Sequence, residues 1–203
     1  MFYRADGHHG LKHNPFKALV SPRPIGWIST RSQDGLINLA PFSYFNAVTD
    51  FPPTVVFGCN GAKPEGDAKD TAEFVRETGE FVANMCTGDL KDQMNASSAH
   101  IPRDQDEFAA AGLTPADCEL VKAPRVKEAP AGLECRLVQI IQLRSSHPKI
   151  TNNMVIGEVV GVHIDERIIK DGMIDMTVYH PLARLGYMDY TIVEDVFAMD
   201  RPD

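Results

Sequence analysis

Apolar positions alternate with small or polar ones in several short runs of this chain, and that period of two predicts strands. Ile25, Trp27 and Ser29 alternate with Gly26, Ile28 and Thr30, a pattern for a strand buried on one face with hydroxyls near its end. A second strong run covers Thr54 to Cys59. Between them, Gln33-Asp34-Gly35 supplies turn chemistry, because Asp-Gly accepts positive φ at little cost. The stretch Asn38 to Asn46 packs small, aromatic and hydrogen-bonding residues into a loop that joins the two runs of a core hairpin over 24–60.

Further on, Gly61 to Gly66 reads as a polar turn and Asp67 to Thr78 as a helix. Thr71, Phe74, Val75 and Thr78 share one face of that helix, Asp70 or Thr71 suits its N-cap, and Gly79 ends it. Glu80 to Met85 is a short strand. Residues 88–99 and 102–112 are read as short helices of a surface excursion, and Pro124 and Pro130 bracket a linker. Two long strands follow. Leu133 to Leu143 places Leu133, Cys135, Leu137, Ile141 and Leu143 inward; Met154 to Ile164 places Met154, Ile156, Val160, Val162 and Ile164 on one face. Gly157 and Gly161 on the other face predict close backbone approach or strong curvature. Tyr190 to Val193 is a last strand. Many strands with few helices predict a barrel rather than a parallel α/β sheet, and the absence of Gly-x-Gly-x-x-Gly removes support for a dinucleotide-binding Rossmann domain.

Composition narrows the function classes. At 203 residues the chain is expected to form one domain over 21–194, with a lead-in over 1–20 and a tail over 195–203. A formal net charge of -8 argues against nucleic-acid binding, which needs a basic face. Cys59, Cys86, Cys118 and Cys135 show no C-x-x-C spacing, so buried thiols in a reducing cytoplasm are expected and no metal ligands are assigned. His8, His9 and His13 read as a solvated arm. No run approaches the apolar length of a membrane span.

Three constellations could carry chemistry. Ser29, Thr30 and Arg31 stand near Asn38, Ser43, Tyr44, Phe45 and Asn46; apolar walls with a few hydroxyl and amide groups suit a flat, partly polar ring such as a flavin, and equally a hairpin with a polar loop. Lys69-Asp70-Thr71 opens a helix, which suits an anion or a plain N-cap. His163 with Arg184, Gly186, Tyr187 and Tyr190 forms a third group, without any Ser-His-Asp order or paired-carboxylate motif.

The segment PRPIG-W-ISTRS-xDG-xxNLAPFSYFNAV followed by PPTVVF resembles the flavin reductase-like family of FMN-binding split barrels. Within it the likeness is to the group containing the reductase components of two-component monooxygenases and the flavoredoxins. KDTAEFV…GEFVANM at 69–85, VIGEVVGVHID at 155–165 and RLGYMDY at 184–190 extend it over most of the chain. The resemblance implies a mainly β, Greek-key split barrel with a few short peripheral helices. It implies FMN rather than FAD as cofactor, held by Ser29, Thr30, Arg31, Asn38, Ala40, Phe42, Ser43, Phe45 and Asn46, with the phosphate at Lys69, Asp70 and Thr71. Arg31 then balances charge on the reduced ring or binds phosphate. His163, Arg184, Gly186 and Tyr187 become substrate-side candidates. The implied activity is hydride transfer from NAD(P)H to flavin with no protein general acid or base, because the flavin carries the chemistry. A flavoredoxin-like electron carrier and a non-catalytic FMN-binding module are the alternatives. A cytoplasmic homodimer is implied, covering the apolar Phe42, Tyr44 and Phe45, with a monooxygenase or electron-transfer protein as further partner and neither nucleic acid nor membrane.

Overall fold

The computed structural model describes residues 1–61 and 69–202. The expected turn at 61–66 and the first residues of the helix expected from Asp67 lie largely outside this set. In chain order the helices are α1 (Phe16–Leu19), α2 (Asp70–Thr78), α3 (Lys91–Ala96), α4 (Glu107–Ala110) and α5 (Met176–Tyr179). The strands are β1 (Arg23–Pro24), β2 (Gly26–Arg31), β3 (Ile37–Phe42), β4 (Phe45–Asp50), β5 (Pro53–Gly61), β6 (Glu80–Met85), β7 (Pro115–Ala116), β8 (Arg125–Val126), β9 (Ala131–Leu143), β10 (Thr151–Ile164), β11 (Ile169–Lys170), β12 (Met173–Ile174), β13 (Leu182–Arg184) and β14 (Tyr190–Ile192).

Seven of these form one antiparallel sheet in the order β3-β2-β6-β9-β10-β5-β4. It curls so that Phe42 of β3 meets Phe57 of β5, their ring centroids 5.1 Å apart. Ile28, Phe45, Val55, Phe81 and Val155 complete this inner core, against which α2 packs Ala72 and Val75. The two strong runs of the first sixty residues do not pair with each other. Each makes its own hairpin, β2 with β3 and β4 with β5. Asn38 to Asn46 is therefore mostly strand, not loop. Pro41 sits within β3, which a sheet edge tolerates because the missing N–H faces no partner strand. The turn at Asp34-Gly35 forms as expected, with Gly35 at φ +91°.

The face expected to be buried on β10 is the wrong one. Asn153, Val155, Gly157 and Val159 are the buried positions, whereas Val162 and Ile164 are exposed. Apolar residues occupy both faces of this strand, and register shifts at Ile156/Gly157 and Val159/Gly161 break the period. Gly157 does mark a close approach. A Cβ there would fall 2.3 Å from the Phe81 ring.

Residues 88–126 are more than a surface excursion. The helices expected there are shorter than read, α3 preceded by a 3-10 turn at Gly88–Leu90 and α4 only four residues long. Their apolar residues Met94, Phe108 and Leu113 form a second core with Trp27 and Leu39. Trp27 Nε1 donates to Ser97 Oγ at 2.8 Å, which ties this segment to the barrel.

Candidate functional site

The N-terminal turn of α2 opens on a cleft of about 640 Å³ between β3 and the 97–107 segment. Asn38, Ala40, Lys69, Asp70 and Thr71, all selected from the sequence, line it together. Opposite them stand Ser97, Ser98, His100, Arg103 and Glu107, none of which the sequence reading selected. No short-range pattern marks these residues; only the packing of Met94 and Phe108 beneath them brings them over β3.

Neither expected residue caps α2. Lys69 holds the N-cap position with an extended backbone (φ -67°, ψ 139°) and no side-chain cap bond. Asp70 turns toward Arg103, 3.7 Å away. Arg103 also meets Glu73 at 2.7 Å and Glu77 at 3.6 Å and lies over the Phe74 ring, so one cation serves three carboxylates along the helix. The Thr71 hydroxyl donates to Asn38 Oδ1 at 2.7 Å, and Asn38 Nδ2 donates to Glu107 Oε1 at 2.9 Å. These two bonds fix which way the Asn38 amide faces. Leu39 N–H donates to the other Glu107 oxygen at 3.3 Å. Burial raises the Glu107 carboxyl above its ordinary range; bonds from its own N–H, Asn38 and Leu39 pull the other way, and the Asp70 charge adds to the rise.

Because Thr71 already donates to Asn38, it offers an incoming ligand an acceptor lone pair. To bind a phosphate oxygen its hydroxyl must turn away from Asn38. Lys69 is the less committed group. Its ammonium rides over the Phe42 ring at 5.6 Å.

The remaining expected site residues do not line this cleft. Ser29 is wholly buried, its hydroxyl donating to the Pro124 carbonyl at 2.5 Å and accepting from Asn84 Nδ2 at 3.0 Å. Thr30 is equally buried, and its hydroxyl has no hydrogen-bond partner among the described residues. Arg31 faces a separate depression of about 400 Å³ with Gln33, Glu77 and Lys122, at the C-terminal end of α2. Phe42 and Phe45 belong to the inner core, and the Phe45 ring lies where a Cβ on Gly26 would be, 2.4 Å from it. Ser43 is half-buried, and Asn46 is exposed on the edge strand β4.

The four substrate-side candidates do not form one group. Arg184 stacks on Tyr190 and donates to the Tyr190 hydroxyl and the Tyr187 carbonyl. Tyr187, at φ +54°, places its ring against His13, and Gly186 lies under Ala18, whose Cα would be 2.8 Å from a Cβ there. Tyr187 and Gly186 thus pack against the N-terminal segment, while Arg184 holds the turn at 187–190. His163 instead bonds through Nε2 to Glu134 Oε1 at 2.5 Å.

Glu134 is almost wholly buried, which the sequence did not suggest. Its carboxylate accepts from the backbone N–H groups of Glu119, Leu120 and Val121 at 2.9, 2.6 and 3.0 Å. Burial pushes its pKa up, but these donors and His163 outweigh that and hold it below the usual carboxylate range. Cys118 lies alongside, its thiol pushed up to about 12 by burial and by the Glu134 charge.

Residues 19–183 match the family described as flavin reductase like domain. This chain belongs to the flavin reductase-like family. An uncharacterized protein of Aquifex aeolicus is 37% identical to this family member over 169 residues, 83% of each chain. The nitrilotriacetate monooxygenase component B of Bacillus cereus superposes with a TM-score of 0.82 at 29% identity, covering 95% of this chain and all of that one. The 2-nitrobenzoate 2-nitroreductase NbaA of Pseudomonas fluorescens gives 0.80 at 27% identity, over 92% and 88% of the two chains. Solved structures of this flavin reductase-like architecture are described as split barrels, and the mainly β fold above is that fold.

Proposed function

We propose that this chain is an FMN-dependent oxidoreductase that passes hydride from NAD(P)H to flavin. The observation that carries the reading is the α2 N-terminal turn, whose N-cap residue Lys69 makes no side-chain cap bond and carries its ammonium beside the turn, opening on the cleft with Asn38 and Ala40. A helix N-terminus with a nearby cation suits a phosphate group, and about 640 Å³ lies within the size range of cofactor pockets. The residues present therefore fit FMN better than a flavin lacking phosphate.

In this reading Lys69 and the first N–H groups of α2 hold the phosphate. Asn38, locked by Thr71 and Glu107, presents a fixed polar edge, and Ala40 and Pro41 supply flat apolar wall. Arg103 keeps Asp70 and Glu73 from repelling the anion. Bound flavin supplies the redox chemistry, accepting hydride at its ring; the protein binds, orients and limits water. No residue of the chain is assigned as acid or base. Four free thiols, three of them buried, fit a reducing cytoplasmic setting, and no helix among the described residues is long and apolar enough to cross a membrane.

A homodimer remains part of this reading, on different grounds from those expected. Phe42 and Phe45 are covered within the chain itself, and Tyr44 is half-buried. Among the exposed apolar groups are Val48 and Phe51, 56% and 96% exposed, on and beside the edge strand β4. Such an edge suits a second copy. A monooxygenase or an electron-transfer protein would then draw on the reduced flavin.

Anaerobic mixing of the FMN-loaded protein with NADH or NADPH tests the activity. Rapid loss of visible flavin absorbance is expected. Bleaching only by a reduced protein donor would make the chain an electron carrier instead, and bleaching by neither would leave an FMN-binding module.

A further inference from the structure

Outside the cleft, the fold brings together three side chains from distant parts of the sequence. The Cys118 sulfur, a Glu134 oxygen and a His163 ring nitrogen all lie within 4.8 Å of one another. Glu134 and His163 come from neighbouring strands, and each stands opposite a glycine: Glu134 pairs with Gly161, and His163 with Gly132. A Cβ at Gly161 would fall 3.3 Å from the Glu134 carboxyl carbon, so glycine keeps that space open. Cys118 arrives on the strap that crosses this face, where Val121 and Ala123 pack on Val82 with Cys118 and Val160 at the margin.

We propose that Cys118, Glu134 and His163 form a three-ligand binding site for Zn²⁺. Sulfur, carboxylate oxygen and imidazole nitrogen make the mixed donor set that zinc accepts, and three protein ligands leave a fourth tetrahedral position for water. Charge supports the assignment. A thiolate and a carboxylate together carry two negative charges, which a divalent cation neutralises in a place where the carboxylate is almost wholly out of water. His163 Nε2 and Glu134 Oε1 stand 2.5 Å apart, at hydrogen-bond distance. On binding, Zn²⁺ takes the Nε2 lone pair while the ring proton passes by way of solvent to Nδ1, so the imidazole stays neutral; the pair separates to ligand spacing, and the Cys118 thiol gives its proton to solvent as the zinc–sulfur bond forms. No electron changes hands. Glu134 Oε2 keeps its bonds from Leu120 and Val121, and Oε1 keeps its bond from the Glu119 N–H while its other lone pair, now facing His163, goes to the metal. The His163 side chain is 25% exposed, which leaves an entry path. The bound ion would staple the strap to β9 and β10, away from the flavin cleft.

The test is cobalt titration of the chelator-stripped chain, free of flavin. One equivalent should give a thiolate-to-cobalt charge-transfer band together with tetrahedral ligand-field bands, and added Zn²⁺ should bleach both. Cys118→Ser should remove the charge-transfer band, and His163→Gln should weaken cobalt binding on the order of tenfold or more. Cys86→Ser, at a buried thiol elsewhere, should change neither, and circular dichroism shows which variants remain folded. Absence of a saturable band, or a band that survives Cys118→Ser, overturns the proposal.

Discussion

The two ends of α2 are built in opposite ways. At the C-terminal end, Gly79 takes the left-handed conformation at φ +73° and its N–H bonds the Val75 carbonyl at 2.9 Å. Thr78 Oγ1 donates to the Phe74 carbonyl, and Gln33 Nε2 to that of Glu77. The Val75 and Glu77 carbonyls there are occupied, and Arg31 and Lys122 nearby share their depression with Glu77 and Glu80. At the N-terminal end the N-cap residue makes no side-chain bond to the helix, and it is a lysine in a place that Ser, Thr, Asp or Asn would fill better. A cation beside the positive end of the dipole costs on the order of 0.3–1 kcal/mol. That arrangement becomes favourable when an anion sits between the ammonium and the N–H groups. The difference teaches that a finished helix end is structural, whereas an unfinished one that opens on a cleft is equipped for a ligand.

Reversing the charge at the unfinished end breaks the comparison most severely. Lys69→Glu should weaken FMN binding on the order of a hundredfold or more, since one charge-assisted bond of roughly 1.5–3 kcal/mol is lost and repulsion is added. Fluorescence titration of the flavin-free protein measures it, and an unchanged affinity would remove the phosphate from this end. A smaller effect concerns Glu107. Its carboxyl is raised chiefly by burial, and a bound phosphate would raise it further, so FMN binding should take up a proton. Affinity should therefore climb several-fold as pH falls from neutrality toward the range just above that of an ordinary carboxylate. Glu107→Gln should flatten this slope relative to the parent protein; parallel slopes would contradict it. At the finished end, Gly79→Ala should cost about 1 kcal/mol of stability in a denaturant melt, because alanine resists positive φ, while FMN affinity stays the same. Smallest of all, Arg31→Ala should alter FMN affinity by less than about twofold. A large loss there would put the phosphate at the wrong end of the helix.

Much of this contrast was legible in the sequence, and the missing part has a physical cause. The strand over Ile25 to Thr30, the turn at Asp34-Gly35 and the stop at Gly79 follow from local rules and form as expected, but the strand is buried on both faces rather than one, because the second core of Met94 and Phe108 covers the face that carries Trp27. Lys69, Asn38 and Ala40 were named through motifs, and they do share one cleft. What the sequence could not order was the basic residues. Arg31 and Lys69 both flank apolar runs, and only the folded helix puts its length between them. Glu134 sits between Leu133 and Cys135 in an alternating strand and reads as an ordinary outward charge. Its burial depends on N–H groups of the strap at 119–121, a tertiary arrangement with no local signature. The cleft's far wall was hidden for a similar reason, since Met94 and Phe108 look like surface-helix residues until Trp27 is placed beneath them.

The central claim is that the α2 N-terminal turn and Lys69 recognise a phosphate. Isothermal titration of FMN and of riboflavin into the flavin-free parent protein and into Lys69→Ala tests it most directly. The parent should bind FMN more tightly than riboflavin. Lys69→Ala should lose FMN affinity by roughly tenfold or more, from one charge-assisted bond, and leave riboflavin affinity unchanged. Equal losses for both ligands, or no preference for FMN in the parent, would contradict the account.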